Sequence, residues 1–402
     1  MSLLRIAMDV GYSDRDRINV GLVLILSGAM FLNLLARTVF SPLLLAIEED
    51  LGISHKTATQ FFLFISAGYS IGMLGSGYLS PRLTHRYTII AALLVGGVSL
   101  FCVAILNSLN LIRLFLFLLG CGMGLYLPSG LAIITETNQE RNLGKAFAIH
   151  EIGPNLSLIL APIFAQAFLG GSRWRLSLAV LGVLCFLQSA VILVFLRDVK
   201  GSGEGYTPAN LKSILLSSRF WIMMIFFCLA IGASLGVYSV LPAFLVSERG
   251  MGLPLVNSLV GISRISGLVI IFLAGLLVDR FGVKWLLAAI IALTGVTTVL
   301  LSIQMKPVLL AAVFLQPIFV ESFFPIALTM TAGMWPKRSY NVAISLMIPV
   351  SLLVGGGVIP SLLGILGERG SFATGFSVMG AVVTVCTFLV FLLDGTRGRK
   401  NG

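Results

Sequence analysis

The chain has 402 residues, 57% hydrophobic and only 11% charged, and its mean hydropathy is +1.03. Soluble domains carry about 45–50% apolar and about 25% charged residues, so this composition excludes a large soluble domain and defines an integral membrane protein. The net charge of +11 does not by itself point to nucleic acid, because cations in a membrane chain are first sorted by the side of the bilayer they occupy.

A membrane-spanning helix takes about 20 apolar residues. Residues 1–18 are polar and mixed in charge, without a small-residue cleavage site, so the first span is expected to serve as its own insertion signal. Apolar stretches then follow at about 19–46, 57–80, 88–106, 111–134, 143–169, 175–196, 220–246, 255–278, 284–304, 308–334, 341–366 and 372–393, predicting twelve spans. With the N-terminus inside, the inner loops and tails hold 18 of the 27 cations, the outer loops 7, and the spans the remaining two. The positive-inside rule therefore predicts that both termini are cytoplasmic. The stretch 197–218, rich in Gly and Ser, reads as a cytoplasmic linker. It separates a six-helix bundle at 19–196 from another at 219–394, with a tail at 395–402. All five cysteines lie inside apolar runs, which argues against a disulfide framework or a zinc site.

The halves repeat. Pro42 near the end of span 1 is answered 200 residues later by Pro242, and the loop from Gly77 is answered 198 residues later by the loop from Gly275. Parallel six-span halves with a site near the midplane are a recurring carrier architecture.

Gly275, Asp279, Arg280, Gly282 and Lys284 match the loop motif G-x-x-x-D-R-x-G-x-K/R, and in this the chain resembles the major facilitator superfamily. The first-half copy keeps Gly77, Arg82 and Arg86, with Pro81 in place of the Asp and Thr84 in place of the Gly. Arg113 with Gly120, Gly122 and Gly124 resembles the family's span-4 pattern. Gly153-Pro154 with Ala161-Pro162 resembles its span-5 motif, and Glu140–Ile149 the loop entering span 5. The resemblance implies an all-α integral membrane fold of twelve transmembrane helices in two pseudo-symmetric six-helix bundles. It also implies gating by the Gly77, Arg82, Arg86, Gly275, Asp279, Arg280 and Gly282 loops, and alternating access about a cavity lined mainly by spans 1, 4, 7 and 10.

Function should lie in polar groups that the bilayer tolerates only for a reason, since a charge at mid-bilayer costs at least about 2.5–3.5 kcal/mol. Arg264 stands 11 residues from Gly275 and Arg37 stands 11 residues from Glu48, each about 16 Å of helix rise and hence near the midplane. Glu151, Glu321 and His150 complete the ionisable set, with Asn33, Tyr126, Asn155, Tyr238 and Gln316 as neutral hydrogen-bonding groups. A permanently charged planar fork suits capture of a carboxylate or phosphate, which makes Arg264 the leading substrate anchor and Arg37 the second. Asn33, Tyr126, Tyr238 and Gln316 are the remaining substrate candidates. Anion carriers of the superfamily often place an Arg at the position occupied here by Ile271; Arg264 is two turns earlier on the same face. Span 11 has Met347 and Ile348 about where span 5 has His150 and Glu151. A membrane carboxylate can load and release a proton and an adjacent His can relay it, so Glu151, Glu321 and His150 are the proton-coupling candidates. An ion pair between Glu151 and Arg264, or a structural salt-bridge network, stands as the alternative.

His150-Glu151 lacks a second His four residues on, so no HExxH metal site is expected. The reading is a secondary active transporter rather than an enzyme. It moves a small organic anion, a carboxylate by preference, or a zwitterion, together with protons, in a bacterial-type cytoplasmic membrane. The protein is expected to be a monomer in contact with lipid, with no cofactor, no metal and no nucleic-acid partner. Two rivals remain: a proton-driven exporter of lipophilic or cationic compounds, and a non-transporting membrane sensor on a carrier fold.

Overall fold

A computed structural model describes residues 18–170, 173–196 and 208–393, and these are helices joined by short connections. Twelve helices are long enough to cross a bilayer. They are α1 (Val20–Leu51), α2 (His55–Ser80), α3 (Arg82–Ile105), α4 (Leu109–Thr137), α5 (Glu140–Gln166), α6 (Arg173–Phe195), α7 (Ser218–Ser247), α8 (Leu253–Phe281), α9 (Val283–Leu300), α10 (Lys306–Met334), α11 (Val342–Glu368) and α12 (Phe372–Leu392). A short helix, Pro208–Leu215, precedes α7. The parts of the predicted linker and tail at 197–207 and 394–402 lie outside the described residues, as does residues 1–17 of the N-terminal segment.

Two of the internal breaks lie just before a proline. Regular helix in α1 stops at Thr38 and resumes at Phe40, and Pro42 is the cause, because its ring meets the carbonyl four residues back and it has no N–H to donate. Pro128 does the same in α4, where the helix stops at Gly124 and resumes at Tyr126. In α7 and α11 the irregularity is instead a π-helical turn, at Gly232–Gly236 and Val354–Val358.

The contacts divide the chain into two compact units, Met1–Leu51 with Phe64–Gly205 and Gly52–Leu63 with Tyr206–Gly402. The outer end of α2 is thus counted with the second unit. There Glu368 accepts hydrogen bonds from Ser54 Oγ (2.9 Å) and the Lys56 N–H (3.2 Å), capping the start of α2.

The 198-residue repeat is built into the packing of each unit. Asp50 at the end of α1 accepts from Trp174 Nε1 (3.1 Å) and from Arg175, fixing the start of α6. Glu248 at the end of α7 accepts from the N–H groups of Phe372 and Ala373, fixing the start of α12. Gly97 and Gly182 let α3 approach α6, and Gly295 and Gly380, each 198 residues later, do the same for α9 and α12. Arg86 donates to the Leu193 carbonyl at the end of α6, and Lys284 donates to the Leu393 carbonyl (2.7 Å) after α12. Cations on terminal carbonyls oppose the negative end of the helix dipole.

The first turn of α3 and the junction of α8 with α9 carry the clearest backbone constraint. Gly282 has φ 76° and Thr84, its counterpart, has φ 63° with ψ 157°, a region essentially reserved for glycine. Thr84→Gly is therefore expected to stabilise the protein by about 1 kcal/mol, the released strain less the entropy a glycine loses. Thermal unfolding in detergent checks this; a lowered midpoint would contradict it.

Glycines also form a seam between α2 and α4. A Cβ added at Gly68 would lie 2.0 Å from the Phe117 carbonyl oxygen, and at Gly72 2.1 Å from that of Cys121. From the other side, a Cβ at Gly120 would lie 2.1 Å from the Ile65 oxygen, and at Gly124 2.2 Å from that of Tyr69. Gly120 and Gly124 of the span-4 run thus make a backbone-to-backbone contact with α2, as small residues in membrane helices allow, while Gly122 faces Val95 of α3.

Candidate functional site

In the second unit the π-helical turn of α7 organises the polar groups. A π turn shifts the backbone hydrogen-bond pattern, and the Gln316 side chain of α10 donates its amide to the Ala233 carbonyl within it (2.7 Å). The same turn carries Ser234, whose Oγ donates to Glu321 Oε1 at 2.6 Å. Glu321 Oε1 also lies 3.8 Å from Arg264 Nη1, with the two side chains 13% and 2% exposed. The Arg264 guanidinium sits over the Tyr238 ring, 4.8 Å from its centroid. Arg264 is therefore held by charge and by an aromatic face, yet Nε, Nη1 and Nη2 have no hydrogen-bond partner. Its whole donor fork is buried and unused, an arrangement that a carboxylate, sulfonate or phosphate of a ligand would satisfy.

In the first unit α1 packs along α5, and Pro154 explains one contact. It has no N–H for the His150 carbonyl four residues back, and Ser27 Oγ of α1 donates to that carbonyl (3.2 Å). The His150 ring is fully buried, and its Nε2 meets Tyr126 Oη at 3.0 Å. Tyr126 commits its one hydroxyl proton to the Leu26 carbonyl (2.6 Å), so it accepts from Nε2–H. Nδ1 has no hydrogen-bond partner and faces Glu151 Oε1 at 3.7 Å. Glu151 is 58% exposed, so of the two neighbours the His is inside and the Glu outside.

Arg37 of α1 donates through Nε to the Asn33 carbonyl (3.3 Å) and lies over the Tyr69 ring of α2, 4.0 Å from its centroid. The two units thus carry the same pair with its members exchanged. In the first, the Arg is on α1 and the Tyr on α2; in the second, the Tyr is on α7 and the Arg on α8. Asn33 donates to the Met123 carbonyl of α4 (2.7 Å), as Gln316 does between α10 and α7. Ala233 is the residue 200 positions after Asn33, so the same helix junction is clamped in both units from opposite partners. Asn33, Gln316 and Tyr126 therefore spend hydrogen bonds on backbone carbonyls. Asn155 does likewise, donating to the Glu151 carbonyl (2.8 Å).

Among the loop-motif residues, Arg82 stacks on the Tyr78 ring (3.6 Å) and Arg280 lies 5.5 Å from the Phe281 ring centroid. A Cβ at Gly77 meets nothing within 4 Å. The Asp279 side chain and the surroundings of Gly275 lie outside the described residues. Sequence reasoning missed Ser234 and Tyr69. Ser234 sits in Gly-Ala-Ser-Leu-Gly, where the paired glycines were the available signal; nothing in the sequence marks Tyr69 as the partner of Arg37.

Among the described residues eleven helices are long and apolar enough to cross a membrane and α8 is a twelfth of sufficient length, with ionisable groups buried at mid-helix in each unit, the architecture of the membrane-carrier class. The Major Facilitator Superfamily profile matches residues 26–271 and again 239–402, and the chain belongs to that family. It is 24% identical over 378 residues to a probable sulfoacetate transporter, SauU, of Cupriavidus necator, covering 87% of this chain and 86% of that one. It is 26% identical over 154 residues to a 4-hydroxybenzoate transporter, PcaK, of Pseudomonas putida, covering 38% of this chain and 34% of that one. The fold is similar to that of a bacterial homologue of the human lysosomal transporter Spinster in an inward-facing, occupied conformation. That likeness has a TM-score of 0.80 at 14% identity and covers 95% of this chain and 98% of that one. A D-xylose-proton symporter has a TM-score of 0.76 at 15% identity, over 96% and 100% of the two chains.

Proposed function

We propose that this protein carries a small organic anion, a carboxylate or sulfonate by preference, or a zwitterion, across a bacterial cytoplasmic membrane, in symport with protons and by alternating access. The observation that carries the reading is the buried Arg264 fork, none of whose donors is hydrogen-bonded. The relatives named for sulfoacetate and 4-hydroxybenzoate, both organic anions, support the same class. In the mechanism we propose, Glu321 is the internal counter-ion of Arg264. A proton on Glu321 cancels that charge, and the substrate's acid group takes over the fork. Proton and anion then share one site and cross together. Tyr238 orients the fork from below and Arg37 is a second anion contact. His150 and Glu151 form a separate proton-accepting pair. The loops containing Gly77, Arg82, Arg86, Gly275, Asp279, Arg280 and Gly282 gate the cytoplasmic side, with both termini on that side. The two six-helix bundles run over 19–196 and 219–394, and the transporter works as a monomer.

Proteoliposomes test the coupling. Glu321→Gln is expected to retain substrate exchange and lose accumulation driven by a pH gradient, because the neutral amide mimics the protonated acid but releases no proton. Undiminished accumulation in Glu321→Gln, with loss in Glu151→Gln, would move coupling to the His150–Glu151 pair. A second reading, export of lipophilic cations, draws on the exposed carboxylate of Glu151. It requires transport that survives Arg264→Gln and fails in Glu151→Gln.

A further inference from the structure

Asn257 stands two helical turns before Arg264 on α8, and seven residues bring the two side chains to within about 20° of each other around the helix axis. The side chain of Asn257 is fully buried, and neither its amide nitrogen nor its amide oxygen has a hydrogen-bond partner. A buried amide with both functions unmet is destabilising and is rare in folded proteins. Around it the same face is filled by Val256, Val260 and Ser263, all fully buried, while Leu255, Ile262 and Ile265 take the exposed face. Side chains on a helix lean toward its N-terminus, so the long arm of Arg264 is carried toward Asn257. One stripe of α8 therefore presents an unused cationic fork and, beyond it, an unused donor and acceptor.

We propose that Asn257 is a substrate-binding residue that reads a second polar group of the anion held by Arg264. The ligand is then a short-chain acid bearing a hydroxyl, carbonyl or second acid group, rather than a simple alkyl carboxylate. Arg264 takes the acid group and the Asn257 amide takes the substituent, as donor to an oxygen and as acceptor from a hydroxyl. This proposal rests on the anion-transport reading and adds the specificity element to it.

The test uses the purified full-length chain in detergent and thermal-shift titrations with propionate, lactate, malonate and sulfoacetate. Wild type is expected to bind at least one of the last three at least about tenfold more tightly than propionate, which corresponds to one good hydrogen-bonding interaction. Asn257→Leu, of similar volume, is expected to erase that preference while keeping the propionate response. It should also raise the unfolding temperature of the ligand-free protein, because an apolar group replaces an unmet amide. Asn257→Ala, which cannot clash, should erase the preference too. An unchanged preference in both variants overturns the proposal and leaves the transport reading standing. A lowered ligand-free unfolding temperature in Asn257→Leu with the preference intact assigns Asn257 a structural partner and likewise overturns it. No stabilisation of wild type by any of these anions overturns the proposal; the transport reading is then decided by the response of wild type and Arg264→Gln to aromatic acids, phosphate esters and amino acids.

Discussion

Arg264→Gln is expected to fold and to lose substrate binding and transport altogether. A charge-assisted hydrogen bond is worth about 1.5–3 kcal/mol and a guanidinium offers two in parallel to one acid group, so loss of the fork costs about 3–6 kcal/mol of affinity, or two to four orders of magnitude. Folding should survive for a reason particular to this site. The Arg264 side chain is 2% exposed and makes no hydrogen bond, so the variant gives up a cation–π contact with Tyr238 and the attraction of Glu321 but no network. Glu321 keeps the Ser234 hydroxyl and can take a proton once its counter-charge is gone. Arg264→Lys is expected to restore little, because an ammonium is a point charge and does not present two parallel donors. Uptake assays and unfolding curves on the same preparations separate the two effects. Normal uptake by Arg264→Gln would contradict the anion site; loss of folded protein would make Arg264 structural.

Gly120→Val should be among the most destabilising single changes in the protein. The added Cβ would lie 2.1 Å from the Ile65 carbonyl oxygen and 2.7 Å from the Tyr69 nitrogen, so the obstacle is backbone, which no rotamer change can move. Overpacked cores usually cost about 1–3 kcal/mol, and a clash that forces α2 and α4 apart along a four-glycine seam belongs at or beyond the upper end. The seam also sets the Tyr69 ring under Arg37. Gly75→Val is the control, since a Cβ at Gly75 in α2 meets nothing within 4 Å. The yield of folded protein and its unfolding midpoint should fall sharply for Gly120→Val and barely change for Gly75→Val. Equal tolerance at both positions would contradict the seam.

The span positions and the 198-residue repeat were legible in the sequence because both are linear properties, hydropathy in a window and residues at a fixed offset. Thr84 shows how far this reaches: its place opposite Gly282 in the loop motif already marked the turn, and its φ of 63° shows that the backbone keeps the glycine conformation without the glycine. Arg264 was legible for the same reason, as a charge isolated in an apolar run. What the sequence could not supply was partners. The choice between Glu151 and Glu321 as the acid beside Arg264 depends on how α8 packs on α10, and the close ion pair is with Glu321 at 3.8 Å. The π-helical turn that aims Ser234 at Glu321 leaves no periodic trace in a glycine-rich stretch. Asn33, Tyr126 and Gln316 looked like cavity groups by type and depth. Each donates to a backbone carbonyl of a neighbouring helix, a partner that only coordinates reveal, and the Asn33 amide oxygen is left without one.

The most direct test of the central claim, that Arg264 binds the transported anion, is a thermal-shift panel on purified wild type beside Arg264→Gln. The panel holds carboxylates, sulfonates, phosphate esters, amino acids and lipophilic cations at millimolar concentration. A ligand that binds only the folded state stabilises it by RT ln(1 + [L]/Kd), about 2.7 kcal/mol at a hundredfold excess over Kd. Stabilisation by an organic acid in wild type that vanishes in Arg264→Gln is the expected result. Stabilisation by lipophilic cations alone, equal in both proteins, would contradict the account and make Arg264 a structural counter-ion.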